Sequence, residues 1–322
     1  MVMTAHVPQQ GFTRRHSLAM LASSLVLAAC HGRGDEAVLK VASQKGGTKS
    51  LFLAAGVLED MPYRIEWAEF PAAQHLLEAL GSGAVDVGLV GDAPFQFAYQ
   101  SGSPIKAIIA HRASPRPTEA LAIIVRERSP FRTLADLRGR SVATTRGSVG
   151  HYLVLRALDQ AGLPLDSIRF SWLAPGDAKA AFDSGAVDAW SIWVPYLAAA
   201  RIEHARILAD GHDLVQGYGF EVANEAAIAR KRALLADFAE REGRALAWLS
   251  AHRADYAAVL ARETGLPLDI ARITADKNVR RPVPMDAQVI ADQQLVLDTF
   301  RRAGDVRSPR ALADAFLDIR AA

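Results

Sequence analysis

Apolar positions along the chain follow two periods, and the two alternate. Residues 38–43 and 140–144 read as short β runs, each meeting a polar glycine turn and then a helical stretch at 51–58 and 152–161. Second strands are predicted at 63–70, where Ile65, Trp67 and Phe70 alternate in part, and at 168–173. Helices at 72–80 and 177–184 follow, each closed by a glycine where a helix C-terminus favours one. Residues 85–90 and 187–193 read as buried third strands. The apolar run 121–125 and a second near 217–223 are placed to cross between the two units. Thr133 to Leu137 reads as a short capped helix. Beyond the second crossing, 230–252, 254–263 and 287–302 carry helical spacing. These last helices are expected to pack mainly on the first unit.

The two units are copies. Ser82-Gly83-Ala84-Val85-Asp86 recurs verbatim as Ser184-Gly185-Ala186-Val187-Asp188, an offset of 102. Ala42-Ser43-Gln44-Lys45-Gly46-Gly47 parallels Ala143-Thr144-Thr145-Arg146-Gly147-Ser148, an offset of 101. Two matches in one order at nearly one offset point to a repeated α/β unit. Strands alternating with helices imply mostly parallel sheets with right-handed crossovers. The expected architecture is α/β with two lobes, 38–122 plus 222–322 and 123–221, hinged at the two crossings, with a ligand cleft between them. The length of 322 residues agrees with two domains of about 150 each.

Composition adds a compartment and removes some functions. Arg14-Arg15, an apolar run to Ala29 and then Cys30 have the parts of a secretory signal. The run of about a dozen residues is too short for a bilayer, which needs roughly twenty. The arginine pair is similar to a twin-arginine signal, with Ser17 where a bulky residue is usual. Leu27-Ala28-Ala29-Cys30 resembles a bacterial lipobox, in which Cys30 is lipidated and becomes the new N-terminus; an ordinary cleaved signal with a bystander cysteine is the alternative. Residues 1–29 are therefore read as a lipoprotein-type signal peptide. Removing them takes two bases and no acids from 37 and 35, leaving 35 of each. A neutral body argues against nucleic acid as a partner. One cysteine excludes an internal disulfide framework and a clustered-cysteine zinc site. No histidine pair has metal-ligand spacing, so neither metal nor cofactor is expected.

Candidate chemistry gathers where ligands sit in open α/β sheets, beyond the carboxyl ends of the strands. There each unit places a glycine turn feeding a helix: Gln44, Gly46, Gly47 and Thr48 in one, Gly147, Ser148 and His151 in the other. Helix N-termini present unpaired N–H groups and partial positive charge, which suit anionic oxygens. Plain turns and caps are the alternative reading. Asp92 ends the third strand of the first unit and can accept from a cap or a ligand amine. His151 reads equally as a neutral donor or an ordinary helix residue. Trp190 and Trp193 stand three apart, so one is expected to line the cleft and the other to enter the core. Gly46-Gly47-Thr48-Lys49-Ser50 lacks phosphate-loop spacing, and Arg146 stands where a nucleophile elbow needs glycine. Nothing assembles a nucleophile with a base.

Several segments in combination resemble aliphatic-sulfonate-binding proteins of ABC importers. They are Gln44-Lys45-Gly46, Glu69-Phe70-Pro71-Ala72, Leu77-Glu78-Ala79-Leu80, Gly91-Asp92-Ala93-Pro94, Ala180-Ala181-Phe182 and the run Asp188 to Tyr196. Taurine- and nitrate-binding proteins are similar relatives. The resemblance covers about 38–300 and implies a type II periplasmic binding protein. Such a protein makes and breaks no bond, is monomeric, and delivers a small organic anion to a permease and its ATPase. It places a first glycine loop on 44–48, a Gly-Asp turn on Gly91-Asp92, an anion loop on 147–151 and an aromatic strand end on 188–193, which brings Asp188 into the site. Val149-Gly150 departs from the family's serine-rich anion loop. The late run Asn278-Val279-Arg280-Arg281-Pro282 keeps an Arg-Pro flavour and differs in detail. A related ligand (taurine, nitrate, a pyrimidine or thiamine precursor) and an enzyme on the same scaffold are the alternatives.

Overall fold

The computed structural model describes residues 37–116, 118–307 and 309–320. Cys30 and residues 1–29, where the sequence reading places a signal peptide, lie outside the described residues. Two sheets organise the chain. The first runs in the order β11-β4-β10-β3-β1-β2, from β1 (Val38–Gln44), β2 (Arg64–Phe70), β3 (Val87–Gly91), β4 (Ile105–Ala113), β10 (Tyr218–Asn224) and β11 (Arg280–Val283). The second runs β7-β6-β8-β5-β9, from β5 (Leu121–Val125), β6 (Ser141–Thr144), β7 (Arg169–Trp172), β8 (Ala189–Trp193) and β9 (Arg206–Asp210).

Helices α1 (Thr48–Ala55), α2 (Ala73–Gly81) and α3 (Asp92–Gln100) follow the first three strands, and α4 (Val149–Gln160), α5 (Pro175–Ser184) and α6 (Tyr196–Ile202) follow their counterparts. Each sheet is mixed rather than mostly parallel. The repeated units are parallel, β2-β1-β3 and β7-β6-β8. The crossing strands β10 and β5 enter antiparallel beside β3 and β8, and each pairs antiparallel with a further strand.

The verbatim repeat has a structural cause. The Asp86 carboxylate accepts the Lys40 N–H at 2.7 Å, and Asp188 accepts the Ser141 N–H at 2.8 Å. Each aspartate thus ties the entry of the third strand to the start of the first. Lys231 caps one latch through Nζ at 2.7 Å, and Ser141 Oγ closes the other at 2.9 Å. Such charge-assisted bonds hold more firmly than neutral ones.

The late chain forms α7 (Glu225–Ala251), α8 (Arg253–Thr264), α9 (Leu268–Lys277) and α10 (Ala287–Arg302). The first two pack on the first sheet as expected, and α9, which the sequence reading did not predict, joins them: Phe238, Leu249, Tyr256 and Ala271 share one core with Leu39 and Phe52. The last does not. Val289 joins the core of the first sheet, while Val296, Leu297 and Phe300 join Tyr152, Leu153 and Leu158 of the second. Its apolar face is long enough to serve both, so α10 spans the two halves.

Candidate functional site

A cavity of about 500 Å³ opens between the two sheets. One side is built from the β1–α1 turn (Gln44, Gly46, Gly47, Thr48) and the start of α3 (Gly91, Asp92). Across it stand Ser148 and Val149 at the start of α4, with Trp193 and Tyr196. The first amides of a helix have no acceptor within it. In α1 the Lys49 N–H goes back to Ser43 Oγ at 3.2 Å. The Thr48 amide, on a residue that lines the cavity, has no intrahelical acceptor, and Val149 stands in the same position at the start of α4. Leu51, Leu246, Leu249, Tyr256 and Leu260 add an apolar wall.

The charges of the wall are one-sided. Lys45, Arg116, Lys277 and Arg280 line the cavity, and Asp92 is the one carboxylate among the described lining residues. Arg280 is decisive. The sequence reading noticed its segment but gave it no role. Its strand β11 lies on the far side of β4 from β10, yet the side chain reaches across β10 because residue 219 is glycine: a Cβ there would stand 2.6 Å from the Arg280 Nη1. Among the described residues none accepts a hydrogen bond from the guanidinium. Burial lowers its pKa, and Glu242, Tyr256, Asp92 and Glu221 act in the opposite direction. The signal in the sequence was slight: Pro282 marks an edge strand, and two arginines precede it.

Most predicted residues line the cavity: Gln44, Gly46, Gly47, Thr48, Asp92, Ser148 and Trp193. Gln44 Nε2 donates to the Leu89 carbonyl at 3.3 Å, fixing its amide against β3. The Gly46 carbonyl accepts from Tyr256 at 3.0 Å. Ser148 caps α4: its Oγ accepts the His151 N–H at 3.1 Å and lies 3.4 Å from Thr144 Oγ1.

Four residues stand elsewhere. The Gly147 N–H donates to His151 Nδ1 at 3.2 Å, so both are spent on each other behind the loop. Gly147 has φ +70°, and a Cβ there would meet the Phe97 ring at 2.6 Å, so only glycine fits. His151 Nε2 lies 3.5 Å from Asp305, and its ring meets Phe170, Trp172 and Phe300. Burial pushes its pKa down to about 4, against the pull of Asp305, so it is a neutral prop rather than an anion-binding cation. Asp188 is the latch of the second sheet. Trp190 is fully buried against Phe182 and Tyr196, leaving Trp193 as the cleft aromatic.

Asp92 is itself buried, and burial raises its pKa to about 6. Its Oδ1 accepts the Ala93 N–H at 2.8 Å, while Oδ2 has no partner among the described residues. It therefore sits at the start of α3 as a carboxyl that is easily protonated.

A pair of α/β sheets with a cation-lined cleft between them is the form of a periplasmic solute-binding protein. Comparison with known proteins gives the narrower group. The sequence profile described as "ABC transporter, phosphonate, periplasmic substrate-binding protein" matches residues 60–193. A protein of Escherichia coli (strain K12) named as an aliphatic sulfonates-binding protein is 37% identical over 293 residues, 88% of this chain and 89% of that one. The alkanesulfonate-binding protein SsuA from Xanthomonas axonopodis pv. citri, solved bound to MOPS, superposes with a TM-score of 0.81 at 32% identity, covering 88% of this chain and 99% of that one. This chain belongs to the aliphatic-sulfonate-binding family of ABC-importer substrate-binding proteins. The desulfurization enzyme DSZB shares the fold alone, at 14% identity and a TM-score of 0.64 over 88% of this chain and 96% of that one.

Proposed function

We propose that the chain captures an aliphatic sulfonate in the cleft between its sheets and delivers it to an ABC permease and its ATPase, without turning it over. The observation that carries this reading is the Arg280 guanidinium, which lines the cleft and makes no hydrogen bond to a described residue. A planar fork of N–H donors suits two oxygens of one sulfonate. Thr48 and Ser148, at the starts of α1 and α4, supply further donors from opposite sides, with Gln44, Gly46 and Gly47 shaping the approach. Trp193 and the leucines of α7 and α8 receive the tail. The two halves are proposed to be 38–122 plus 222–322 and 123–221, moving about the crossings as a monomer.

Replacing the guanidinium by an apolar side chain tests the reading. Arg280→Met removes at least one charge-assisted pair, about 1.5–3 kcal/mol, so the Kd for pentanesulfonate should rise by roughly ten- to a hundredfold or more. Calorimetric titration reads this directly. Unchanged affinity would remove Arg280 from the site. Sulfate, taurine, nitrate and a phosphonate belong in the same titration, and tight binding of one of them with silence from all sulfonates would replace the ligand.

We further propose that Cys30 carries a lipid that tethers the protein to a membrane on the periplasmic side. The support is the lone cysteine placed after Leu27-Ala28-Ala29. Acyl chains contribute about 0.8 kcal/mol per buried methylene. Cys30→Ala should therefore move the protein to the soluble fraction on cell fractionation, and continued membrane retention would contradict the tether.

A further inference from the structure

Behind Arg280, on the side away from the cleft, ionisable side chains from several elements meet in a dry chamber. Strand register puts them there. On β4 His111 pairs with Gly219 of β10 and with Pro282 of β11. Glu221 and Arg280 lie two residues from those partners, so all three project from one face of the sheet. Helix α7 crosses that face and contributes Glu242. Glu221, Glu242 and His111 are 0%, 0% and 1% exposed. Tyr256 of α8 and Asp92 of α3 stand at the margin near Arg280, and Arg320 acts on His111 from the chain's end.

The chamber is short of protons. None of the four oxygens of Glu221 and Glu242 has a hydrogen-bond donor among the described residues. His111 Nε2 lies 3.3 Å from Glu242 Oε2. Glu221 is faced by Glu242 and, with the opposite effect, by Arg280. Two carboxylates in contact in a dry site cannot both ionise, and two acceptors need a hydrogen between them. Burial pushes Glu221 well above its usual range, and Glu242 adds to the effect. Burial lowers His111 despite Glu242, so the imidazole stays neutral. The pair then carries one proton and one negative charge, and that charge balances Arg280 from behind while the cleft is empty.

An anion arriving in front of Arg280 changes the balance. It places a second negative charge beside the guanidinium, and the remaining carboxylate loses part of its counter-charge. We propose that the buried Glu221–Glu242 pair takes up a proton when an anion docks on Arg280, so that capture is a joint binding of anion and proton. The proton comes from solvent, no other bond is made or broken, and the chamber plus ligand keep the net charge they had before. This rests on the reading that the anion meets Arg280.

Proton uptake is measurable without a structure. The full chain is titrated with sodium pentanesulfonate at one neutral pH in imidazole and in Tris, buffers of unlike ionisation enthalpy and neither a sulfonate. Tryptophan fluorescence follows binding in parallel. The heats should differ between buffers by the equivalent of up to about one proton per sulfonate, and affinity should fall toward about tenfold per pH unit above neutrality. The double variant Glu221→Gln/Glu242→Gln leaves no carboxyl in the pair to take the proton. That variant should still bind pentanesulfonate, with equal heats in the two buffers and a flattened pH dependence. Either single Gln variant keeps one carboxylate beside an amide donor and should keep the buffer difference. Equal heats in the wild-type chain overturn the inference while leaving the sulfonate reading intact. A buffer difference that survives in the double variant overturns it too, and its loss in His111→Gln would move the proton to the imidazole. Absence of both heat and fluorescence change with sulfonates removes the reading beneath it, and the inference falls with it.

Discussion

Asp92 and His151 are both buried, line opposite sides of the α3–α4 contact region, and pull stability in opposite directions with pH. Burial holds Asp92 protonated up to about 6, whereas the unfolded chain ionises it from 3.8. The fold therefore binds the extra proton, and stability falls as pH rises from about 4 to about 6. His151 is neutral in the fold down to about 4, whereas the unfolded chain protonates it below 6.5. Here the unfolded state binds the extra proton, and stability is lost as pH falls through that window. The two nearly cancel. Asp92→Asn should unmask the histidine: between about pH 4 and 6.5 the denaturant midpoint should climb by the equivalent of roughly 3 kcal/mol. His151→Gln should show the reverse slope. Parallel profiles for wild type and both variants would show that neither group titrates as its burial implies. At this scale the sequence chose candidates by residue type, and the structure places Thr48 and Ser148 on the cavity wall. The sequence could not show that the Gly147 amide is already taken by His151, because that pairing depends on a loop geometry no spacing encodes.

Among elements, legibility followed symmetry. Inside the repeated units the three strands and the first two helices of each copy were readable, because two copies at one offset reinforce a weak periodic signal, whereas α3 and α6 after the third strands were not. The strands outside the repeat were harder. β4 is buried on both faces through Ile105, Ala107, Ile108, Ile109 and Ala110, so it shows no alternation. β11 reads Arg-Arg-Pro-Val and is too short and too polar to announce a strand. Yet β4 and β11 carry His111 and Arg280. The candidate site was therefore half visible: the glycine turns could be found from the repeat, while its strongest cation came from an irregular edge strand. Asp188 illustrates the converse error. It recurs because both sheets need the same latch, and recurrence within one chain reports shared architecture as readily as shared chemistry.

For the whole molecule, net charge concealed the field that matters. Residues 30–322 are balanced at 35 bases and 35 acids, yet four cations and one carboxylate line the cleft. Such local excess steers a small anion without making the protein basic overall.

The reach of α10 has a consequence for modularity. Two crossing strands suggest that the second sheet could be excised between them as a free-standing piece. It could not. Phe300 and Leu297 complete the core around Tyr152 and Leu158, and an isolated 121–216 segment would open that surface to water. Such a fragment should bind a hydrophobic dye and lack a sharp thermal transition, and a synthetic 287–306 peptide should abolish the dye binding and restore the transition. A fragment that melts cooperatively alone would show the splint to be dispensable. The duplication thus left two copies of a unit but not two independent proteins, because the later one borrows part of its interior from the far end of the chain.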